Sequence, residues 1–216
     1  LIETYVRKNN RRTRYCLPMK RTYLISIAIM LLAAHSPALA AKCKYEVNSV
    51  DKFTKVKTLK TKWASLDPWS AIIGSNSHLV ASISAGLNAD SRTLGLQLIR
   101  QRSSSYRPRA YELRDVIVVA EGARLLVLMA DDTILELPAL HEVRASAQYY
   151  ATNNDATEFA IKTTAEINFA LDGPTTEALM KQEAKRIRVE AEDRNYDVII
   201  DEAWRGNFQW ALGCIQ

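Results

Sequence analysis

Apolar and polar residues alternate along much of this chain. Over residues 92–100, Leu94, Leu96 and Leu98 stand against Gly95, Gln97 and Ile99. Successive side chains of a strand point to opposite faces, so this spacing predicts a strand with one apolar side. Gly95 in the other row predicts a bulge or the close approach of another backbone. Residues 159–169 keep the same period through Phe159, Ile161, Thr163, Ala165, Ile167 and Phe169. Residues 79–87 form a third apolar run, joined to the first by Asn88-Ala-Asp-Ser91.

Shorter strands are predicted to either side. Residues 43–47 and 56–63 read as a hairpin about the turn formers Asn48 and Asp51. Lys55, Lys57, Lys60 and Lys62 fall mostly on alternate positions, which reads as a solvated edge more readily than as an anion-binding strip. Residues 66–77, with Pro68 and Gly74, read as a loop. Residues 116–119, 124–129 and 133–137 predict an antiparallel meander turning at Glu121-Gly122 and Asp131-Asp132. Pro138 ends it, having no N–H for a ladder. After residues 142–150, Thr152-Asn-Asn-Asp155 makes another turn.

Asp172-Gly-Pro-Thr-Thr-Glu177 opens a short amphipathic helix with a stripe through Leu179, Met180, Ala184 and Ile187. Residues 186–190 and 196–200 read as a last hairpin, and 201–214 as a closing helix with a weak spot at Gly206. The fold class expected is α+β, mostly antiparallel β: a curved sheet or meander with a short helix near residue 180 and a C-terminal helix.

Residues 19–40 carry a different pattern. Lys20 and Arg21 precede an apolar run over 23–34, followed by Pro37, Ala38 and Ala40. That order predicts a secretory signal peptide cleaved before Ala41. The run falls short of the ~20 apolar residues a membrane-spanning helix needs. Lys42 before Cys43 argues against a lipid anchor. Residues 1–18 read as an over-extended start or a long basic front to the leader. Residues 41–216 are then a single β-rich globular domain, periplasmic or secreted, with no permanent membrane anchor.

Cleavage alters the charge. The full chain holds 29 Lys+Arg and 24 Asp+Glu, of which residues 1–40 hold seven bases and one acid. Residues 41–216 keep 22 against 23, a net charge of −1, which removes the ground for a nucleic-acid partner. Two cysteines, Cys43 and Cys214, remain at opposite ends. In an oxidising compartment they predict a disulfide, the other reading being two separately buried thiols.

Two patches carry a resemblance. One is Cys43-x-Tyr45-x-x-Asn48-x-x-Asp51-x-Phe53-Thr54, followed by Thr61. The other is an ordered series: a hairpin over 126–137 centred on Asp131 and Asp132, a strand, the helix with Leu179, Ile187-Arg188, a strand, and a helix ending in Cys214. Together they resemble a loose group of small, exported, functionally uncharacterised bacterial proteins. Lys55 stands where that group usually has a glycine. The resemblance implies a compact β-rich domain with neighbouring termini, and it transfers no activity.

Chemistry is sparse. After cleavage only His78 and His141 remain, without metal-ligand spacing, and no Gly-x-Ser-x-Gly elbow occurs. No cofactor or metal is expected: Asn153-Asn-Asp155 and Asp131-Asp132 read as turn chemistry before calcium ligands. The four tryptophans read as packing rather than as a sugar platform. Residues 101–109 are the most polar stretch. With Arg100 and Arg114 they gather Arg102, Arg107 and Arg109 around Tyr106, either as a mobile loop for an anionic ligand or acidic partner, or as an exposed connection. The function expected is a non-catalytic binding or accessory domain whose partner is an envelope or extracellular protein or an anionic ligand. The alternatives are a hydrolase assembled only in the fold, or a small-ligand carrier.

Overall fold

The computed structural model describes residues 43–67, 77–113 and 117–216. The leader over 19–40, residues 1–18, the centre of the loop predicted over 66–77, and Arg114 lie outside the described residues.

The apolar rows choose the pairings. Strands β4 (Ser77–Asn88) and β5 (Ser91–Ser104) form a long hairpin, and β11 (Phe159–Leu171) runs antiparallel along the other edge of β5. Leu79, Ala81, Ile83 and Ala85 of β4, Leu94, Leu96 and Leu98 of β5, and Ala165, Ile167 and Phe169 of β11 share one buried inner face. Strand β10 (Ala147–Ala151) extends the sheet beyond β11. On the far edge of β4 sit β2 (Lys57–Thr61) and β3 (Ala64–Asp67), with β1 (Tyr45–Val50) outside β2. The result is one curled, seven-stranded antiparallel sheet.

A second, four-stranded sheet has the order β13 (Tyr196–Ile199), β12 (Ala184–Val189), β7 (Arg124–Met129), β8 (Ile134–Pro138). The remaining strands, β6 (Ile117–Val119) and β9 (Val143–Ala145), pair with each other. Helices α1 (Gly173–Lys181) and α2 (Asn207–Gly213) pack together. The core joins the inner face of the large sheet to Leu125, Val127, Ile187, Val189 and Tyr196 of the small one and to Leu179, Phe208, Ala211 and Leu212 of the helices. The described residues all fall in one compact unit, and that core lies wholly inside it.

Four expectations are revised. The meander is only half formed, because both edges of β7 are taken by β8 and β12 and β6 must pair with β9 instead. Residues 101–104, read as loop, continue β5 as far as Ser104. The helix near residue 180 stops at Lys181, and Ala184 and Ile187 belong to β12. The closing segment is broken at Gly206 into a 3-10 turn (Glu202–Trp204) and α2.

Cys43 and Cys214 are joined by a disulfide across 171 residues, with Cα atoms 5.7 Å apart. The Tyr45 hydroxyl donates to the Cys214 carbonyl at 2.9 Å beside it. Among the described residues, no helix is long and apolar enough to cross a membrane.

Candidate functional site

The inner row of β5 changes character along its length. Leu94, Leu96 and Leu98 sit over the core, and the same row continues as Arg100, Arg102 and Ser104. Register sets Arg100 beside Thr163 and Leu79, Arg102 beside Ile161, and Ser104 beside Phe159. On β10, Tyr149 lies opposite Ile161 and Ala151 opposite Phe159. Arg102, Ile161 and Tyr149 therefore form one row across three strands, past the end of the apolar core.

Beyond Ser104 the chain turns. The Ser104 hydroxyl donates to the Tyr106 carbonyl at 2.8 Å and accepts from the Tyr106 N–H at 3.4 Å. Pro108 is buried, so the segment is held against the body rather than free in solvent. Arg107 donates through Nε to the Tyr149 hydroxyl at 2.9 Å, and its guanidinium lies 5.7 Å from the centre of that ring. Tyr149 in turn meets Phe159 edge-on at 6.0 Å. A cation, a phenol and a phenyl ring thus meet in one wall.

Two open clefts share Ser105, Tyr106 and Phe159. The polar one, about 530 Å³, adds Arg102, Ser103, Ser104, Thr152 and Glu158. The aromatic one, about 710 Å³, adds Arg107, Tyr149, Tyr150 and Thr157. Their floor is the β10–β11 turn, fixed by Asn153: its Oδ1 accepts from the N–H of Thr157 (3.1 Å) and Glu158 (3.3 Å), and its Nδ2 donates to the Thr157 hydroxyl (2.8 Å). Asn153 is thereby engaged in turn chemistry. Asp131 is too: it accepts from the Thr133 N–H at 3.0 Å and from Gln182 Nε2 at 3.0 Å, which holds its carboxyl below the usual range, the Thr133 bond foremost.

The charges here contrast with those of the small sheet. There Arg124 pairs with Glu190 (2.7 Å) and Glu136 (3.2 Å), and Arg188 with Asp197 (3.0 Å). Among the described residues, Arg100, Arg102, Arg107 and Arg109 make no ion pair with a carboxylate. Arg92, at the opposite end of β5, shares that property.

The sequence-derived set is therefore divided. Arg102, Tyr106 and Arg107 line the clefts. Arg100 lies two residues closer to the core along β5, its Nε buried without a partner. Its charge is felt at Tyr196, whose hydroxyl donates to Asp193 at 2.7 Å. Burial first, and that hydrogen bond second, push the Tyr196 phenol well above its ordinary value, while the charges of Arg194 and Arg100 act in the opposite sense. Arg109 is exposed beyond Pro108 and lines neither cleft. Sequence reading missed Tyr149, Thr152, Glu158 and Phe159. Their one signal was the turn over 152–155, which joins β10 to β11, the strand beside β5. His78 and His141 are exposed and border neither cleft.

Comparison with protein-family models, with curated proteins and with solved structures finds no match for this chain.

Proposed function

We propose that residues 41–216 are an exported binding module of the periplasm or extracellular space, working without catalysis, that receives an anionic group of a ligand or partner in the cleft at the end of β5, β10 and β11. The observation that carries this reading is the set of arginines left without carboxylates at that end, in a molecule whose small-sheet arginines are paired. Arg102 supplies a planar fork suited to a carboxylate or oxyanion, and the serines of the polar cleft supply hydroxyl donors. The Arg107–Tyr149–Phe159 stack holds the neighbouring wall in place before a ligand arrives, which lowers the ordering cost of binding. Oxidation of the Cys43–Cys214 pair fits a compartment where disulfides persist.

The test is titration with inorganic phosphate and, separately, with a glutamate-rich peptide. The triple variant Arg102→Ser, Arg107→Ser, Arg109→Ser should bind roughly tenfold more weakly or worse, since charge-assisted hydrogen bonds are the strong ones. Its thermal midpoint should stay near that of the parent, because none of these side chains belongs to the core. A response to phosphate alone points to a small oxyanion, and a response to the peptide alone to an acidic protein surface. Equal binding by parent and variant rejects the cleft.

A further inference from the structure

The opposite end of the large sheet carries a feature that the anion cleft does not use. At the tip of the β1–β2 hairpin, residues 51–55 are exposed, and Phe53 is 94% exposed. Val50, one residue before the tip, is 56% exposed.

The tip is nevertheless firmly built. Asp51 Oδ1 accepts from the N–H of Phe53 at 2.8 Å and of Thr54 at 2.6 Å. The Asp51 carbonyl accepts from the Lys55 N–H at 3.0 Å, and the Asp51 N–H donates to the Val56 carbonyl at 2.9 Å. The Val56 N–H donates to the Thr54 hydroxyl at 3.4 Å, and Lys55 Nζ donates to the Lys52 carbonyl at 2.8 Å. Lys55 takes a left-handed φ of 61° to close the turn, where the resembling group has glycine. The N–H groups of Asp51, Phe53, Thr54, Lys55 and Val56 are all satisfied within the tip.

The surrounding charge is basic. Lys52, Lys55 and Lys57 flank Phe53, and the Ala89 N–H donates to the Lys57 carbonyl at 3.2 Å, which brings the β4–β5 turn and exposed Arg92 alongside. The acids nearby are Asp90 and Asp51, and the Asp51 carboxylate is occupied by the tip's own N–H groups.

We propose that this tip docks reversibly on an anionic lipid bilayer, with Phe53 entering the interface and Lys52, Lys55 and Lys57 meeting the lipid phosphates. The apolar part of a bilayer offers no hydrogen-bond partners, so a segment enters it only with its backbone groups already bonded internally. The tip meets that condition in part: five of its N–H groups and the carbonyls of Asp51, Lys52 and Val56 are bonded within it, so entry is confined to the Phe53 side chain at the interface. A protein partner would require a matching concavity for Phe53, whereas a bilayer takes an isolated ring among lysines without one. The basic ring complements anionic headgroups, and a phenylalanine flanked by lysines is the composition of interfacial anchors.

The experiment uses residues 41–216, the exported chain of the proposed function, and vesicles of phosphatidylcholine alone or mixed with phosphatidylglycerol, read by co-sedimentation. Parent protein should sediment with the mixed vesicles and leave them as salt is raised. Phe53→Ser should weaken partition about tenfold, a fraction of the full transfer free energy of a phenylalanine. Phe53→Leu should retain it. Lys52→Gln with Lys55→Gln should weaken it about 30-fold, since each lysine near an anionic surface accounts for about fivefold. Unchanged circular dichroism confirms that the variants fold. Equal sedimentation with both vesicle types, absence of binding to either, or indifference to Phe53→Ser overturns the proposal. So does an acidic peptide that binds through Phe53 while vesicles do not.

Discussion

At the scale of single residues, Gly95 shows how tightly one side chain can be specified by its neighbours. A Cβ built there would lie 2.4 Å from Ser84 Oγ, 3.3 Å from Trp63 Cη2 and 3.4 Å from Asn168 Oδ1. The close approach anticipated at this position is real, but side chains make it, not another backbone. Ser84 is 1% exposed, so its hydroxyl has little room to move aside. Gly95→Ala should therefore cost about 1–3 kcal/mol, the range for overpacking. Ser84→Ala removes the nearest atom, so the double variant Ser84→Ala, Gly95→Ala should lose clearly less than the two single losses summed. Urea unfolding of the four proteins checks this, and strict additivity would move the clash to Trp63 or Asn168. The same scale marks where sequence reading ends. The alternation of Leu94, Leu96 and Leu98 is visible in the letters, whereas the bond from Arg107 to Tyr149 joins residues 42 positions apart and follows only from the β10–β11 register.

At the scale of elements, legibility depended on whether the inner row stayed apolar. β5 was readable to Arg100 and then lost, because its inner row turns polar at the cleft while the ladder to β11 continues to Ser104. The first four residues of the most polar stretch are thus a strand end that borders a cleft. Ala184 and Ile187 misled for another reason. The β12 ladder shifts register between Ala184 and Arg186, so the two buried residues stand three apart, a spacing that mimics a helical stripe. Helix α1 was readable from its cap. Asp172 Oδ1 accepts from the Thr175 N–H at 2.7 Å, Pro174 follows in the first turn, and those bonds hold the Asp172 carboxyl below its ordinary value. A carboxyl lowered in the folded state stabilises fully above its unfolded pKa, about 3.9, and loses that contribution as pH falls through the folded value. Asp51, Asp131, Glu177 and Glu190 are lowered as well, each by hydrogen bonds from backbone or cationic donors, so the sign is the same for all five. Asp172→Ala should lower Tm by about 2–4 °C at neutral pH. The gap between variant and parent should then narrow as pH drops below about 4. A gap that persists unchanged at low pH would assign the loss to something other than the ionised cap.

At the scale of the whole described body, β4 and β5 act as a spine. Twelve residues of β4 at about 3.4 Å each place the Phe53 tip and the Arg102 cleft at ends about 40 Å apart. A body whose two ends carry different surfaces depends on a rigid middle, and the sulfur bridge ties down an element the core leaves loose. β1 is an exposed edge strand paired only with β2. α2, by contrast, is held by Phe208, Ala211 and Leu212 regardless of the bridge. Cutting the bridge should therefore leave the native core intact and act mainly on the unfolded chain, where a closed loop of 171 residues corresponds to about 5 kcal/mol on the chain-entropy account. Cys43→Ser with Cys214→Ser should lower unfolding free energy by about 3–5 kcal/mol, a large share of the 5–15 typical of a domain. The urea m-value should rise, because an uncrosslinked denatured chain expands and exposes more surface. A loss under about 1 kcal/mol with an unchanged m-value would mean that the bridge only pins the first residues of β1, and that the packing of α2 already closes the molecule.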